Sequence, residues 1–143
     1  MVRALRATGL PARAEPIIVT REPKRENTMI AIIFEVEPGD GQKEPYLEMA
    51  AKMRTLVESV EGFISVERFQ SLTNPGKLLS LSFWEDEAAV MRWRQLEAHR
   101  AAQKAGRKVM FDDYRLRVVS VIRDYGKFDR AEAPEDSRAA HGG

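Results

Sequence analysis

The stretch Ser82-Phe83-Trp84-Glu85-Asp86-Glu87-Ala88-Ala89-Val90-Met91-Arg92-Trp93 constrains this chain more than any other, because it requires two elements and a sharp junction between them. Its first three residues end a buried strand. Asp86 then stands where a helix N-cap belongs, its carboxylate free to accept from the unpaired amides of the first helical turn. Ala89, Val90, Trp93 and Leu96 recur at helical spacing and form the inward stripe of that helix. The same signal runs through His99, Arg100, Gln103 and Lys104 until Gly106 offers a stop.

The remaining periodicities extend this pair into a complete order. Met29 to Val36 is almost continuously apolar and β-branched, as in a strand covered on both faces, and Pro38-Gly39-Asp40-Gly41 ends it. Between Glu44 and Ser59 the residues Tyr46, Met49, Ala50, Met53, Leu56 and Val57 take one helical face, and Glu48, Lys52, Arg54 and Glu58 the other. Pro45 suits the first turn of that helix, where no amide hydrogen is needed. Gly62 releases the chain into a second strand, Phe63 to Ser71. Thr73-Asn74-Pro75-Gly76 turns it into a third, Leu78 to Trp84. Asp113 to Asp124 makes the fourth strand, with Tyr114, Leu116, Val118, Ser120 and Ile122 on one face and Arg115, Arg117, Val119, Val121 and Arg123 on the other. The order βαββαβ predicts an α+β, ferredoxin-like fold: an antiparallel sheet with both helices on one face.

That plan leaves the second face of the sheet to be covered. Met29 to Phe34 place apolar side chains on both faces, and Leu78, Trp84, Val119 and Val121 are expected to add to the face away from the helices. At roughly 25 cal/mol per Å², hiding several such side chains contributes several kcal/mol, so a homodimer packed sheet against sheet is expected.

The ends read differently. Residues 1–28 carry Pro11, Pro16 and Pro23 with scattered arginines and no sustained period, an extension that is flexible or embraces a partner through Ile17-Ile18-Val19-Thr20. Met29 is also a candidate translation start. The extension lacks the apolar core of a secretory signal, and Glu15, Glu22 and Glu26 argue against an organellar one. The domain itself is expected over 29–126, and the tail 127–143, without apolar anchors, is expected to be disordered.

Composition narrows the function classes. A formal charge of +1 with basic residues spread along the chain gives no footprint for nucleic acid or a membrane surface. The absence of cysteine removes disulfides, thiolate metal sites and cysteine nucleophiles, and fits the cytoplasm. No Gly-rich phosphate loop, nucleophile elbow or metal-spaced histidine pair occurs; the histidines are His99 and, in the tail, His141. RNA-recognition domains share the element order, but neither 63–71 nor 113–124 carries their basic-aromatic strand motif.

From Met29 to Tyr125 the chain resembles the antibiotic biosynthesis monooxygenase family of dimeric α+β barrels. The resemblance rests on Ser82-Phe83-Trp84, the Asp86 cap, Trp93 nine residues after Trp84, the polar set His99, Gln103 and Arg107, and Phe111-Asp112-Asp113-Tyr114 leading into the last strand. It implies two sheets closed into a shared barrel and, in each subunit, a ligand between helices and sheet. It further implies reaction of molecular oxygen with a phenolic, quinol or polyketide-type aromatic molecule, with no metal or flavin. The protein then binds the substrate, removes its proton or stabilises its anion, and excludes water. The heme-degrading branch of the family keeps an asparagine on the first strand and a histidine ten residues after the helical tryptophan. Here those positions hold Ile33 or Phe34 and Gln103, and His99 stands one turn early, so heme degradation is disfavoured.

Each candidate has two readings. On a continuous helix, His99, Gln103 and Arg107 align as a base or donor beside a cationic site; otherwise they form a solvated polar face. Trp84 and Trp93 stack on a planar ligand or fill the core, the commoner role at a strand–helix junction. Tyr46 and Tyr114 donate to a ligand oxygen or keep their hydroxyls wet. Asp112 and Asp113 read as a turn and strand entry and not as a carboxylate pair, since adjacent strand residues point to opposite faces. The expectation is a cofactor-independent monooxygenase with His99 and Arg107 as its catalytic pair and Trp84, Trp93, Gln103, Tyr114 and Tyr46 around the substrate. A noncatalytic ligand-binding or stress-response dimer of the same fold is the alternative.

Overall fold

A computed structural model describes residues 28–103 and 110–141, the side chains of 98–103 and of residue 141 excepted. The elements run β1 (Ile30–Pro38), α1 (Lys43–Glu58), β2 (Phe63–Gln70), β3 (Leu78–Trp84), α2 (Glu87–Gln103), β4 (Phe111–Ser120) and a short α3 (Glu135–His141). The sheet order is β2-β3-β1-β4 with every pairing antiparallel, so the expected α+β, ferredoxin-like plan is the one observed. The arm proposed at Ile17-Ile18-Val19-Thr20 and the stop at Gly106 lie outside the described residues.

Local chemistry accounts for the junctions. Pro45 sits in the first turn of α1, and at the other end Ser59 closes the helix, its amide and Oγ both donating to the Leu56 carbonyl. Gly62 follows at φ +92°, a backbone region that side-chain-bearing residues rarely adopt. A Cβ there would stand 2.6 Å from the Ala89 Cβ, so the glycine also lets the start of α2 approach. The Glu85 amide donates to the Gly62 carbonyl at 2.8 Å and Arg92 Nη1 to the Glu61 carbonyl at 2.8 Å. Asp86 caps α2 as expected, its Oδ1 accepting from the Ala89 amide at 2.9 Å. In the β2–β3 hairpin Gln70 Nε2 donates to the carbonyls of Pro75 and Lys77 at 3.0 Å each, pinning the turn.

The core between helices and sheet falls into two apolar groups. One holds Ile30, Val57, Trp84, Ala89 and Val90, with Ile32, Val60, Phe63 and Trp93 against it. The other holds Val36, Tyr46 and Leu78, with Phe34, Leu47, Met49, Met110 and Phe111. Leu78 and Trp84 therefore face the helices, which corrects their expected place on the opposite face. Strand alternation then puts Ser80 and Ser82 under the helices as well, and turns Leu79, Leu81 and Phe83 outward. Apolar side chains stand on both faces of β3, so its alternation carries no sign; the bulk of Trp84, 1% exposed, is what sits in the helix-side core.

Two further expectations change. The last strand ends at Ser120 instead of Asp124. The tail, expected to be disordered for want of apolar anchors, instead holds α3 and a knot around Arg130, whose Nη2 donates to Ser137 Oγ at 2.7 Å and whose guanidinium lies 5.4 Å from the Tyr125 ring centre. The Asp124 amide donates to Glu132 at 2.7 Å, and Ala133 is buried. Charged and polar groups serve there as the anchors that apolar residues do not provide.

Candidate active site

Strand register carries the site. Because Ile30, Val36, Leu78 and Trp84 face the helices, so do their in-register partners, which sort into rows across the sheet. One row reads Arg68, Ser80, Phe34, Leu116, and its neighbour Val66, Ser82, Ile32, Val118. A third reads Gln70, Leu78, Val36, Tyr114. The first two rows lie between the two apolar groups of the core, and at β2 and β3 they contribute Arg68, Ser80 and Ser82. The core is thus interrupted by polar residues on its own inner face.

At the β4 edge the same rows open to solvent. Tyr114, Leu116 and Val118 face the helix side yet remain 61%, 51% and 48% exposed, so the helices leave this strip of the sheet accessible. An apolar floor continues inward from it through Phe34 and Ile32, both half-buried. Four linked aromatic rings bound one end: Phe111 lies 5.6 Å from Tyr46, 5.9 Å from Phe34 and 6.0 Å from Tyr114, and Phe34 lies 5.8 Å from Tyr114. Three of these contacts are edge-on, the arrangement in which ring edges meet ring faces favourably. Trp84 and Trp93, 6.5 Å apart and tilted by 32°, stand at the other end with Phe63 edge-on to Trp84 at 5.2 Å.

The sequence-predicted residues separate on this frame. Tyr46 is buried and Tyr114 exposed, and the two join through Phe111 into one wall; neither hydroxyl makes a hydrogen bond among the described residues. Trp84 is core: it is 1% exposed and its Nε1 donates to Ser82 Oγ at 2.9 Å. Trp93 is half-buried against it. His99 and Gln103 belong to α2, but their side chains lie outside the described set, and Arg107 lies outside the described residues altogether. Asp112 and Asp113 lie within β4, where Asp113 pairs with Glu37, and not in a turn; the Asp113 Oδ1 accepts from the Tyr114 amide at 2.9 Å.

The sequence alone gives Phe34, Phe111 and Ser82 no place in the site and gives Ser80 and Arg68 no role at all. The signal for the last three was the alternation Ser-x-Ser-x-Trp in an otherwise apolar strand, beside an arginine in the strand that pairs with it. Ser82 is a buried polar residue whose oxygen already accepts from Trp84. Ser80 makes no side-chain hydrogen bond among the described residues. Arg68 has its Nε buried and without a partner among them. The described residues include no group of three or more acidic or histidine side chains placed to hold a metal ion, and no helix long and apolar enough to cross a membrane.

Such a layer of helices over an antiparallel sheet is shared with known proteins. The model of the antibiotic biosynthesis monooxygenase family matches residues 29–105. The chain belongs to that family. Among curated proteins of this kind, the jasmonate monooxygenase ABM of Pyricularia oryzae is 44% identical over 93 residues, which are 65% of this chain and 43% of that protein. The chain thus spans less than half the length of that relative. YqjZ of Bacillus subtilis, an uncharacterised protein, is 33% identical over 78 residues, 54% of this chain and 67% of its own. Among solved structures, a point mutant of SnoaB, a cofactor-independent oxygenase from Streptomyces nogalater, shares the monooxygenase-family fold with a TM-score of 0.55 at 11% identity, covering 68% of this chain and 96% of its own.

Proposed function

We propose that the chain is a monooxygenase that uses no metal or flavin and acts on a small phenolic, quinol or polyketide-type aromatic molecule. The observation that carries this reading is the exposed strip of Tyr114, Leu116 and Val118 on the helix-side face of the sheet, in register with Phe34 and Ile32 and, beyond them, Ser80 and Ser82. Such a surface accepts a flat apolar body and still offers hydroxyls to a ring oxygen. Membership of the family supports the reaction type. A monooxygenase among the relatives, and an oxygenase described as cofactor-independent among the structures, support it further.

The chemistry balances without an added reductant for an anthrone-type phenol. A base takes a proton, the resulting carbanion-like enolate transfers electrons to oxygen, and one oxygen atom bonds to the ring carbon. The other leaves as water with the two hydrogens of the former methylene, which becomes a carbonyl. His99 is assigned as the base and Arg107 as the cation beside the anionic oxygen, with Gln103, Tyr114, Tyr46 and Trp93 around the substrate and Trp84 holding the layer in place.

The active form in this reading is a homodimer. Ile33, Leu79, Leu81, Phe83 and Val119 share the face away from α1 and α2, and Phe69 joins them at 41% exposure. Glu35, on the same face, accepts from Lys77 and Arg117 at 3.5 and 3.2 Å, giving this apolar surface a charged border.

Oxygen uptake by chelator-treated protein, free of flavin and heme, against hydroquinones, naphthols and anthrone-type phenols tests the proposal. Uptake above the autoxidation blank that disappears in His99→Ala is expected. Ligand binding without uptake across the panel would replace it with a noncatalytic binding dimer.

A further inference from the structure

The layer between helices and sheet contains a cation that the described residues do not neutralise. Arg68 lies on the helix face of β2, opposite Ser80, and its Nε is buried without a hydrogen-bond partner among the described residues. None of its other nitrogens donates a hydrogen bond within that set either. Arg130, whose Nε is likewise buried, differs: its remaining nitrogens are taken by Gly126 and Ser137. The acids near Arg68 in the sheet point the wrong way. Glu67 precedes it on the strand and projects to the opposite face, and Glu35 lies on that outer face, engaged by Lys77 and Arg117. A guanidinium cannot shed its charge, so the buried Nε calls for an acceptor.

We propose that Arg68 is the anion anchor of the site and that the molecule bound there is an organic carboxylate. Its planar carboxylate meets the parallel donors of the Nε edge, with Ser80 and Ser82 beside it, and its apolar body runs along Phe34 and Leu116 toward Tyr114. The row from Arg68 to Leu116 crosses three strand spacings, about 14 Å, which suits a two-ring acid with its carboxylate at the inner end. One arginine and two hydroxyls match a singly charged planar group; a phosphate would leave its further charge uncompensated. This inference rests on the proposed function for the place of the site and adds the charge of the substrate to it.

The test uses the full chain and two probes that share a fused ring and a phenol and differ in one carboxylate: 6-hydroxy-2-naphthoate and 2-naphthol. At neutral pH the carboxyl is ionised and the phenol is not. Titration calorimetry is expected to give tenfold or tighter binding of the naphthoate by the wild type. Arg68→Gln should erase that preference and leave naphthol binding as it was, because the neutral probe never used the cation. Arg68→Lys, which keeps charge but loses the paired donors, is expected to lose most of it, and serves if the glutamine variant does not fold. No preference in the wild type, including no binding of either probe, overturns the proposal, as does a preference that survives both substitutions. Oxygen uptake from phenols without any carboxylate preference removes the anchor and leaves the monooxygenase; a preference abolished in Arg68→Gln, with no uptake from any phenol, does the reverse.

Discussion

Gly62→Ala probes the joint on which the site depends, and its cost can be worked out from the contacts. The added methyl must adopt a backbone at φ +92°, which costs about 1–3 kcal/mol for a residue with a side chain. It also stands 2.6 Å from the Ala89 Cβ, well inside contact distance, and Ala89 is fully buried, so relieving the overlap costs about 1–3 kcal/mol more. Lower entropy of the unfolded chain returns about 0.4–1 kcal/mol, leaving a net loss of about 1–6 kcal/mol. The two terms separate in a double-mutant cycle. Ala89→Gly alone should cost about 1 kcal/mol from helix propensity plus the lost methyl contacts, but combined with Gly62→Ala it removes the overlap, giving a favourable coupling of about 1–3 kcal/mol. Urea unfolding followed by tryptophan fluorescence, at one fixed protein concentration, measures all four corners. A loss below about 0.5 kcal/mol for Gly62→Ala, or strict additivity in the double mutant, would show that neither the positive φ nor the Ala89 contact restricts position 62.

Trp84→Ala should destabilise by about 3–5 kcal/mol, since it empties a fully buried site and takes away the donor to Ser82; a variant that melts like the wild type and only binds ligand less well would make Trp84 a pocket wall instead. Asp86→Ala should cost about 1 kcal/mol in the same unfolding assay by exposing the first amides of α2, and no change would show that the cap is replaced by water. Leu81→Asp places a charge at the centre of the outer face, and light scattering should find the 16.2 kDa monomer where the wild type is twice that mass. An unchanged mass in the variant would move the dimer interface elsewhere.

Much of this architecture is legible in the sequence because each element states its own period: the unbroken apolar run of β1, the helical stripe from Tyr46 to Val57, the Asp86 cap and the glycine turn at Gly62 are all local signals. What was misread depends on the sign of an alternation. With Leu79, Leu81 and Phe83 on one side of β3 and Leu78 and Trp84 on the other, nothing local says which side meets the helices, so the inward place of Ser80 and Ser82 is not legible in the sequence. Arg68 becomes notable only through register, because its meaning lies in the absence of an acid across the strand pair. Tyr46 and Tyr114 were identified, but the wall they form requires Phe111 and Phe34, which bridge elements far apart in the chain. The order of the tail is not legible locally because its anchors are hydrogen bonds donated by Arg130 and one accepted by Glu132.

In the proposed reaction the chain inserts one atom of molecular oxygen into its substrate with its own side chains alone. Turnover of an anthrone-type phenol under ¹⁸O₂ by metal- and flavin-free protein, followed by mass spectrometry of the product, tests that most directly. One labelled atom in the product carbonyl, absent from the boiled control and from His99→Ala, is the predicted result. Unlabelled substrate recovered intact beside protein that still binds it would exclude that reaction.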